Sequence, residues 1–580
     1  MSTLNGCEAA RPLSLGKYMH KAFLPGLAAA ALLGSGFAGA QTVPDAGSVL
    51  QQIEKQRHPV LPPKSAPLLA PPQMQPPGDA TFTVTVQEFR FAGNSLLTAK
   101  QLTPVVARFV ARPLTFTELQ NAAIAVATAY RRAGWVVRVY LPQQDITGGT
   151  VTIQIVEAKF GAARVEGQSK RISAAHLQHI VETSQVPGKP VNADALDRAI
   201  LLVGDVPGLS ATGRLAEGRN QAETDLVLAL KDTPWVSGEV TTDNAGARST
   251  GAGRVLADVG LNSPFGFGDR ADAVLLGSQD SNYERLDYSV PAGSDGWRVG
   301  ANASHLNYRV VTAEFSALDA HGTSTTAGLE ASYPLLRSRL KNLYLALNLD
   351  DKRFNNESGG NTTTRYRIED GSVGLYGNLF DSLGGGGANN ASLTFVQGNA
   401  NLAASPNEAA DTLTTRTAGS FRKLRLSLSR QQAVTERLSL YAGLSGQVAS
   451  KNLDSSEKFY IGGAEGVRAY PENEGGGAEG VLLNLEGRVR LPARFTATGF
   501  FDWGSVHINK DNNIAGAAVP NTDSLKGAGV CVGWAASFGL SLKATVARRI
   551  GSNPNPTSTG ADQDGSHIEN RVWLQATMPF

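Results

Sequence analysis

Arg468 and Asp502 are the residues of this chain whose types and surroundings suit them to act together. Thr498, Phe500, Asp502 and Gly504 alternate with Phe501 and Trp503, so a strand there puts the first set on one face and the two aromatic residues on the other. A carboxylate at lipid depth is costly, so Asp502 is expected to face a wet lumen and Phe501 to face lipid. A lumenal carboxylate needs a partner. Arg468, in the segment Val467-Arg468-Ala469-Tyr470, offers a bidentate guanidinium. In a partly wet lumen the Coulomb attraction is about 1–4 kcal/mol, enough to bias a loop without locking it permanently. The bland alternative is a solvated loop arginine and an acid that merely lines a pore.

Other candidates are weaker. His176 and His179 are three apart on a candidate helix and could share a metal, but no third ligand is evident and a solvated helix face is the simpler reading. Gly384 to Gly387 lacks the Lys-Ser/Thr of a phosphate loop and reads as a flexible turn. Tyr441, Trp503 and Trp573 could be ligand platforms, or members of interfacial girdles and lumen packing. No nucleophile elbow and no acid–base pair stands out, so neither enzyme chemistry nor a cofactor is expected.

The element that must position Asp502 is one of many similar runs after Trp235. Leu343, Leu345, Leu347 and Leu349 alternate with Tyr344, Ala346, Asn348 and Asp350. Leu438, Leu440, Ala442, Leu444 and Val448 alternate with Ser439, Tyr441, Ser445 and Gln447. Leu483, Leu485, Val489 and Leu491 alternate with Asn484, Glu486, Arg488 and Arg490, and Leu540 to Ala547 repeats the pattern around Ser541, Lys543 and Thr545. In the final run, Val572, Leu574, Ala576, Met578 and Phe580 alternate with Arg571, Trp573, Gln575, Thr577 and Pro579, apolar on one face to the last residue. Gly, Asn, Asp and Ser clusters separate the runs. The pattern matches an apolar-out, polar-in transmembrane β-barrel whose last strand faces lipid and closes the ring. A soluble sandwich or propeller also alternates, with its polar side in bulk water. At about 21 residues per strand plus connection, residues 235–580 hold roughly 16 antiparallel strands.

The 580 residues carry a net charge of +2, which gives no argument for nucleic acid as a partner. Charged residues make up 18% and glycines number 63, as suits a β-rich chain with many turns. Residues 1–40 read as a signal peptide: Arg11, Lys17 and Lys21 precede the apolar Ala22–Phe37, and Ala38-Gly39-Ala40 is a small-residue cleavage site. Removing it takes away Cys7 and leaves Cys531 alone, so no intrachain disulfide is expected. After Gln41 no run of 18 apolar residues appears, so no later transmembrane helix is expected.

Residues 41–57 hold one short helix over Asp45–Arg57, with Val49, Leu50 and Ile53 on one face. Residues 58–80 form a proline-rich linker, with eight prolines from Pro59 to Pro77. Residues 81–161 read as one α/β unit: a strand from Phe82 continued through Phe91, a helix capped by Thr98, a second helix opened by the capping box Thr115/Glu118, and strands Val136–Leu141 and Val151–Val156. That order, βααββ, recurs over residues 162–234, with helices capped by Ser173 and Asn192.

A helix, a proline-rich linker, two βααββ modules and a barrel ending in Phe resemble the outer-membrane transporters of two-partner secretion, the TpsB family of hemolysin activator/secretion type. Val467-Arg468-Ala469-Tyr470 looks like the family's Val-Arg-Gly-Tyr loop tip, Phe500-Phe501-Asp502 fits its Phe-x-Asp strand, and Asp243, Asn244, Gly246, Gly251 and Arg254 look like its first barrel hairpin. The resemblance implies that the modules are polypeptide-transport-associated (POTRA) domains in the periplasm. They would receive the N-terminal secretion domain of a large exoprotein, through strand addition at a module edge and grooves beside the helices Phe116–Ala133 and Asn192–Gly204. It implies further that the N-terminal helix plugs the barrel at rest. The loop would fold into the barrel with its Arg on the strand Asp, and the last strand, with Trp573, Met578 and Phe580, would close the ring and signal to the barrel assembly machinery. Ala469 departs from the family's Gly, so the tip turn must accept a Cβ. An insertase of the same superfamily, a passive porin and, as the enzyme alternative, a cell-surface hydrolase are the competing readings.

Overall fold

The computed structural model describes residues 43–57, 61–64, 83–146, 148–220 and 222–580. The expected signal peptide and most of the linker lie outside them. Sixteen antiparallel strands, from Val236–Asp243 to Asn570–Pro579, form a closed barrel. The final strand pairs the first over Gln575↔Asp243 to Pro579↔Glu239. Phe580 and Gly238 exchange backbone hydrogen bonds at 3.1 and 2.9 Å, so the last residue is part of the seam.

The period-two pattern decides which face is which. Val572, Leu574, Met578 and Phe580 are exposed on the outside, as are Leu343, Leu349, Leu440, Leu444, Leu485 and Phe501. The alternate residues turn inward. A ring of large apolar side chains on a closed sheet is stable only where hydrocarbon replaces water, and closure leaves no unpaired edge. Among the described residues no helix is long and apolar enough to cross a membrane.

Two α/β modules stand at the end where the chain enters the barrel. The second keeps the expected order: strand Lys159–Glu166, helices Ala174–Ser184 and Ala193–Gly204, strands Leu209–Glu217 and Glu223–Asp232. The first differs. The single strand expected through Phe91 is two, Thr83–Val86 and Glu88–Ala92, in different sheets. Thr83–Val86 pairs with Arg112–Thr115, a strand not foreseen from the sequence. In a two-stranded ribbon Pro113 can turn its donor-less side outward, where no ladder bond is lost. Glu88–Ala92 instead runs parallel to Thr150–Glu157.

Glu157 ties this module together. Its carboxylate accepts from Ser95 N and Leu96 N, both at 2.7 Å, from Ser95 Oγ, and from Tyr130 Oη at 2.9 Å. Burial works against its charge, yet these donors outweigh burial and hold its pKa below the ordinary 4.5. A depressed folded pKa means that the stabilisation is present above the unfolded value and lost as pH falls through the folded one. Hydrogen exchange on the intact protein should therefore show Ser95 and Leu96 well protected at pH 7 and unprotected in strong acid. In Glu157→Gln, protection at pH 7 should already be reduced and its pH dependence flattened.

The modules are joined by backbone: Val136 N donates to Val191 O at 3.1 Å, Val191 N to Ala158 O at 2.8 Å and Ala193 N to Gly134 O at 2.8 Å. The second is held to the barrel rim by charge. Arg337 grips Asp205 through two bonds of 2.7 Å, and Arg339 reaches Asp197 at 3.1 Å.

Helix α1 (Ala46–Glu54) lies inside the barrel. Asp45 caps it, accepting from Ser48 N at 2.7 Å, and Val49, Leu50 and Ile53 pack with Tyr283, Leu306, Tyr308 and Phe354 of the wall. Its polar side is bonded as well: Ala46 N to Asn356 Oδ1 at 2.8 Å, and Tyr283 Oη to Glu54 Oε1 at 3.1 Å.

Candidate functional site

Between strands Leu438–Ala449 and Glu479–Arg490 the chain makes a long loop, residues 450–478, that turns back into the lumen. Its walls are made by strands Glu479–Arg490, Phe495–His507, Thr522–Ala535 and Asn570–Pro579. The reason it can enter is a glycine floor. A Cβ on Gly504 would lie 2.8 Å from Ile461 Cβ, and one on Gly527 would lie 2.6 Å from Ala469 Cβ. These inward positions carry no side chain, so Ile461 and Ala469 of the loop occupy the space. Within the loop, Val467 N bonds Ile461 O at 2.7 Å and Tyr470 N bonds Val467 O at 3.0 Å, closing the tip turn.

At that tip Arg468 and Asp502 meet. Arg468 Nε donates to Asp502 Oδ2 at 2.8 Å, Nη2 to Oδ1 at 2.7 Å, and the Arg468 backbone N adds a third bond at 3.1 Å. Asn484 Nδ2 donates to the same carboxylate at 2.8 Å and to Gly466 O at 3.1 Å. Asp502 is fully buried and Arg468 only 6% exposed. The remaining guanidinium nitrogen reaches Glu486 at 2.9 Å, and the cation lies 3.6 Å from the centre of the Phe500 ring. Each guanidinium nitrogen thus has a carboxylate acceptor and the cation a π-face, the arrangement that a buried charge requires.

Each expected residue has a place. Val467, Ala469 and Tyr470 are buried in one cluster with Phe500, and the Tyr470 ring lies under Arg549 at 4.6 Å. Ala469 does not have a positive φ, so the Cβ in place of the family's Gly is accepted, and Gly527 makes its room. The hairpin residues gather elsewhere, at the seam. Arg254 Nε bonds Asp243 Oδ1 at 2.6 Å, and its Nη2 reaches Gln56, just past α1, at 2.9 Å. Asn244 exchanges bonds with the closing strand, donating to Val572 O at 2.9 Å and accepting from Leu574 N at 2.8 Å, while Gly246 and Gly251 form the turn, Gly251 with φ of 110°. Met578 and Phe580 face outward on that strand. Trp573 does more than close the ring: its indole N–H turns inward and donates to Arg468 O at 2.8 Å.

Asn484 and Gly527 were missed as partners, although the alternation around Asn484 placed it inward. His176 and His179 lie on helix Ala174–Ser184, and no group of three or more metal-ligating residues occurs among the described residues.

The fit at Gly527 gives a test. Gly527→Ala should push the tip out and reduce the activity that depends on the loop. Adding Ala469→Gly removes the opposing Cβ, after which the nearest atoms are ordinary contacts at 3.4 Å or beyond, and should restore it. A double variant as impaired as the single one would refute this packing argument.

Comparison with known proteins agrees with this architecture. The profile of the haemolysin secretion/activation protein family ShlB/FhaC/HecB matches residues 222–522, and that of the ShlB-type POTRA domain matches residues 84–158. The heme/hemopexin transporter protein HuxB of Haemophilus influenzae strain 86-028NP is 25% identical over 528 residues, covering 88% of this chain and 92% of HuxB. The outer membrane transporter CdiB of Dickeya dadantii strain 3937 is 23% identical over 468 residues, 78% of this chain and 81% of its own. The solved structure of CdiB from Escherichia coli has the same fold, with a TM-score of 0.70 at 21% identity over 94% of this chain and 100% of that one.

Proposed function

The chain belongs to the haemolysin secretion/activation protein family ShlB/FhaC/HecB, and on that premise we propose how this outer-membrane transporter moves a large exoprotein from the periplasm to the cell surface. The two modules lie in the periplasm. They take up the unfolded partner, by strand addition at an exposed sheet edge and by grooves beside the helices Phe116–Arg132 and Ala193–Gly204. Module boundaries at 81–161 and 162–234, and the barrel at 235–580, follow from this reading. The outward apolar face meets lipid, and the closing strand through Trp573, Met578 and Phe580 addresses the assembly machinery.

In this mechanism α1 occupies the bore at rest. Its contacts are mostly with the wall and the loop: Gln51 Nε2 donates to Lys458 O at 2.9 Å, Lys55 Nζ to Tyr460 O at 3.0 Å, and Asn473 Nδ2 to Ser48 O at 3.3 Å. Withdrawal of the helix breaks those loop contacts but not the Arg468–Asp502 pair, so the loop keeps its inward position while the bore opens. Directionality comes from folding of the cargo outside, since periplasmic transport has no nucleotide to spend.

The observation that carries the reading is the buried Arg468–Asp502 pair on a loop folded into a sixteen-strand barrel that bears periplasmic modules. The insertase reading lacks a use for a helix lodged in the bore, and a passive porin has no use for the modules. Deleting this chain should remove one large protein from the surface or the supernatant and leave the set of outer-membrane barrels unchanged. General loss of barrels would favour the insertase instead.

A further inference from the structure

The bore is not full. Beside α1 and the loop a cavity of about 1410 Å³ remains, and charged groups of both signs line it, cations outnumbering carboxylates. Helix α1 lies against strands Arg298–Arg309, His321–Arg337 and Lys341–Ser358. Residues 61–64 lie on the neighbouring strand Asn361–Asp381, where Asn378 Nδ2 donates to Pro62 O at 2.8 Å. The opposite wall, from strand Gly419–Ala433 round to Ser541–Arg549, is covered in part by the loop 450–478 and otherwise open to the cavity. It presents Arg425, Arg488 and Lys543 to the cavity beside Glu486, while the side facing it carries Glu239, Asp258 and Glu330 beside Arg285 and Arg298.

These cations are not used up by the structure. Arg425 and Lys543 are exposed to the lumen and make no hydrogen bond or ion pair among the described residues. Arg488 shares Glu486 at 2.7 Å and stacks over Tyr441 at 4.5 Å. The register aligns them. Arg490 pairs with Thr496, Thr496 with Gly533 and Gly533 with Lys543, so Arg490 and Lys543 share one ladder row at the module end. Arg488 is two residues further in on the same face, and Arg425, opposite Gln447, is deeper still. Bare guanidinium and ammonium groups on one wall of a narrow bore give that wall a positive local field, which low-dielectric walls focus.

We propose that this cationic wall is a transit site for carboxylate-rich, extended stretches of the secreted chain, which enter at the Arg490–Lys543 row and pass Arg488 to Arg425. The proposal rests on the translocator reading and adds the chemistry that the bore favours. Exposed cations suit the task. Hydrated partners bind weakly enough to let go, as conduction past a series of sites requires, whereas the buried Arg468 is committed to Asp502.

The test is binding of a fluorescent ten-residue polyglutamate peptide to the purified full chain in detergent, followed by anisotropy at low and high salt, with export measured in parallel. The wild type should bind polyglutamate with a salt-sensitive affinity and should not bind a ten-residue polylysine equally. Arg425→Gln/Arg490→Gln/Lys543→Gln should weaken binding by about tenfold or more and slow export of the partner, with heat-modifiable gel mobility unchanged. The charge-conserving Arg425→Lys/Arg490→Lys/Lys543→Arg should retain binding. No binding by the wild type, equal binding of polylysine, unchanged affinity in the glutamine variant, or normal export once binding is lost would each overturn the transit site. The translocator reading would survive all four, since it is tested by loss of the partner on deletion.

Discussion

Arg468→Ala should cut export of the partner by at least tenfold while the barrel still inserts and keeps its heat-modifiable mobility. The reason is the asymmetry of buried pairs. Together, Arg468 and Asp502 offset each other's desolvation through three hydrogen bonds and the added donor of Asn484. Breaking one partner leaves the other charge buried and unpaired, at a cost of about 3–5 kcal/mol. Here the loop has an escape: it can leave the lumen and hydrate. That free energy therefore appears as displacement of the tip rather than as unfolding of a sheet held by sixteen ladders in a closed ring. Asp502→Ala should also be damaging, because it removes three of the hydrogen bonds of Arg468 and leaves it only Glu486 and the Phe500 ring. The double variant should be no worse than the single ones, because the coupling is lost once. Export by Arg468→Ala at the wild-type level would remove the loop from the mechanism.

Deleting residues 43–57 should raise the single-channel conductance of the purified chain severalfold and leave insertion unaffected. A helix is a rod about 10–12 Å across with its side chains, and α1 takes up much of the bore, leaving the cavity of about 1410 Å³ beside it. Its hold on the wall is polar as well as apolar, through Asn356, Tyr283 and the Gln56–Arg254 contact. A milder variant, Leu50→Asp, places a carboxylate among Tyr283, Tyr308 and Phe354 and should shift the same conductance in the same direction. An unchanged trace in the deletion would mean that the bore is closed by the loop and not by the helix.

Much of this molecule was legible because the relevant physics is local. Alternation between Leu343 and Leu349, or between Val572 and Phe580, needs only the pleat of a strand and the cost of polar groups in hydrocarbon. The cap of helix Phe116–Arg132 is legible for the same reason: Thr115 and Glu118 satisfy each other over three residues. The inward face of Asp502 follows from its neighbours. The split of the first strand was illegible because Arg112–Thr115 forms only when Thr83–Val86 is beside it.

By itself the sequence determined a short N-terminal helix, two α/β modules and a closed sheet with a defined inside and outside, because period, caps and polarity act over a few residues. Only the tertiary structure decided that Trp573 would hold the Arg468 carbonyl, that Gly527 would make room for Ala469, and that the cations from Arg425 to Lys543 would face one open side of the bore. Those meetings join residues far apart in the chain. They exist because closing a tilted ring fixes which strands stand opposite one another, and no local pattern carries that information.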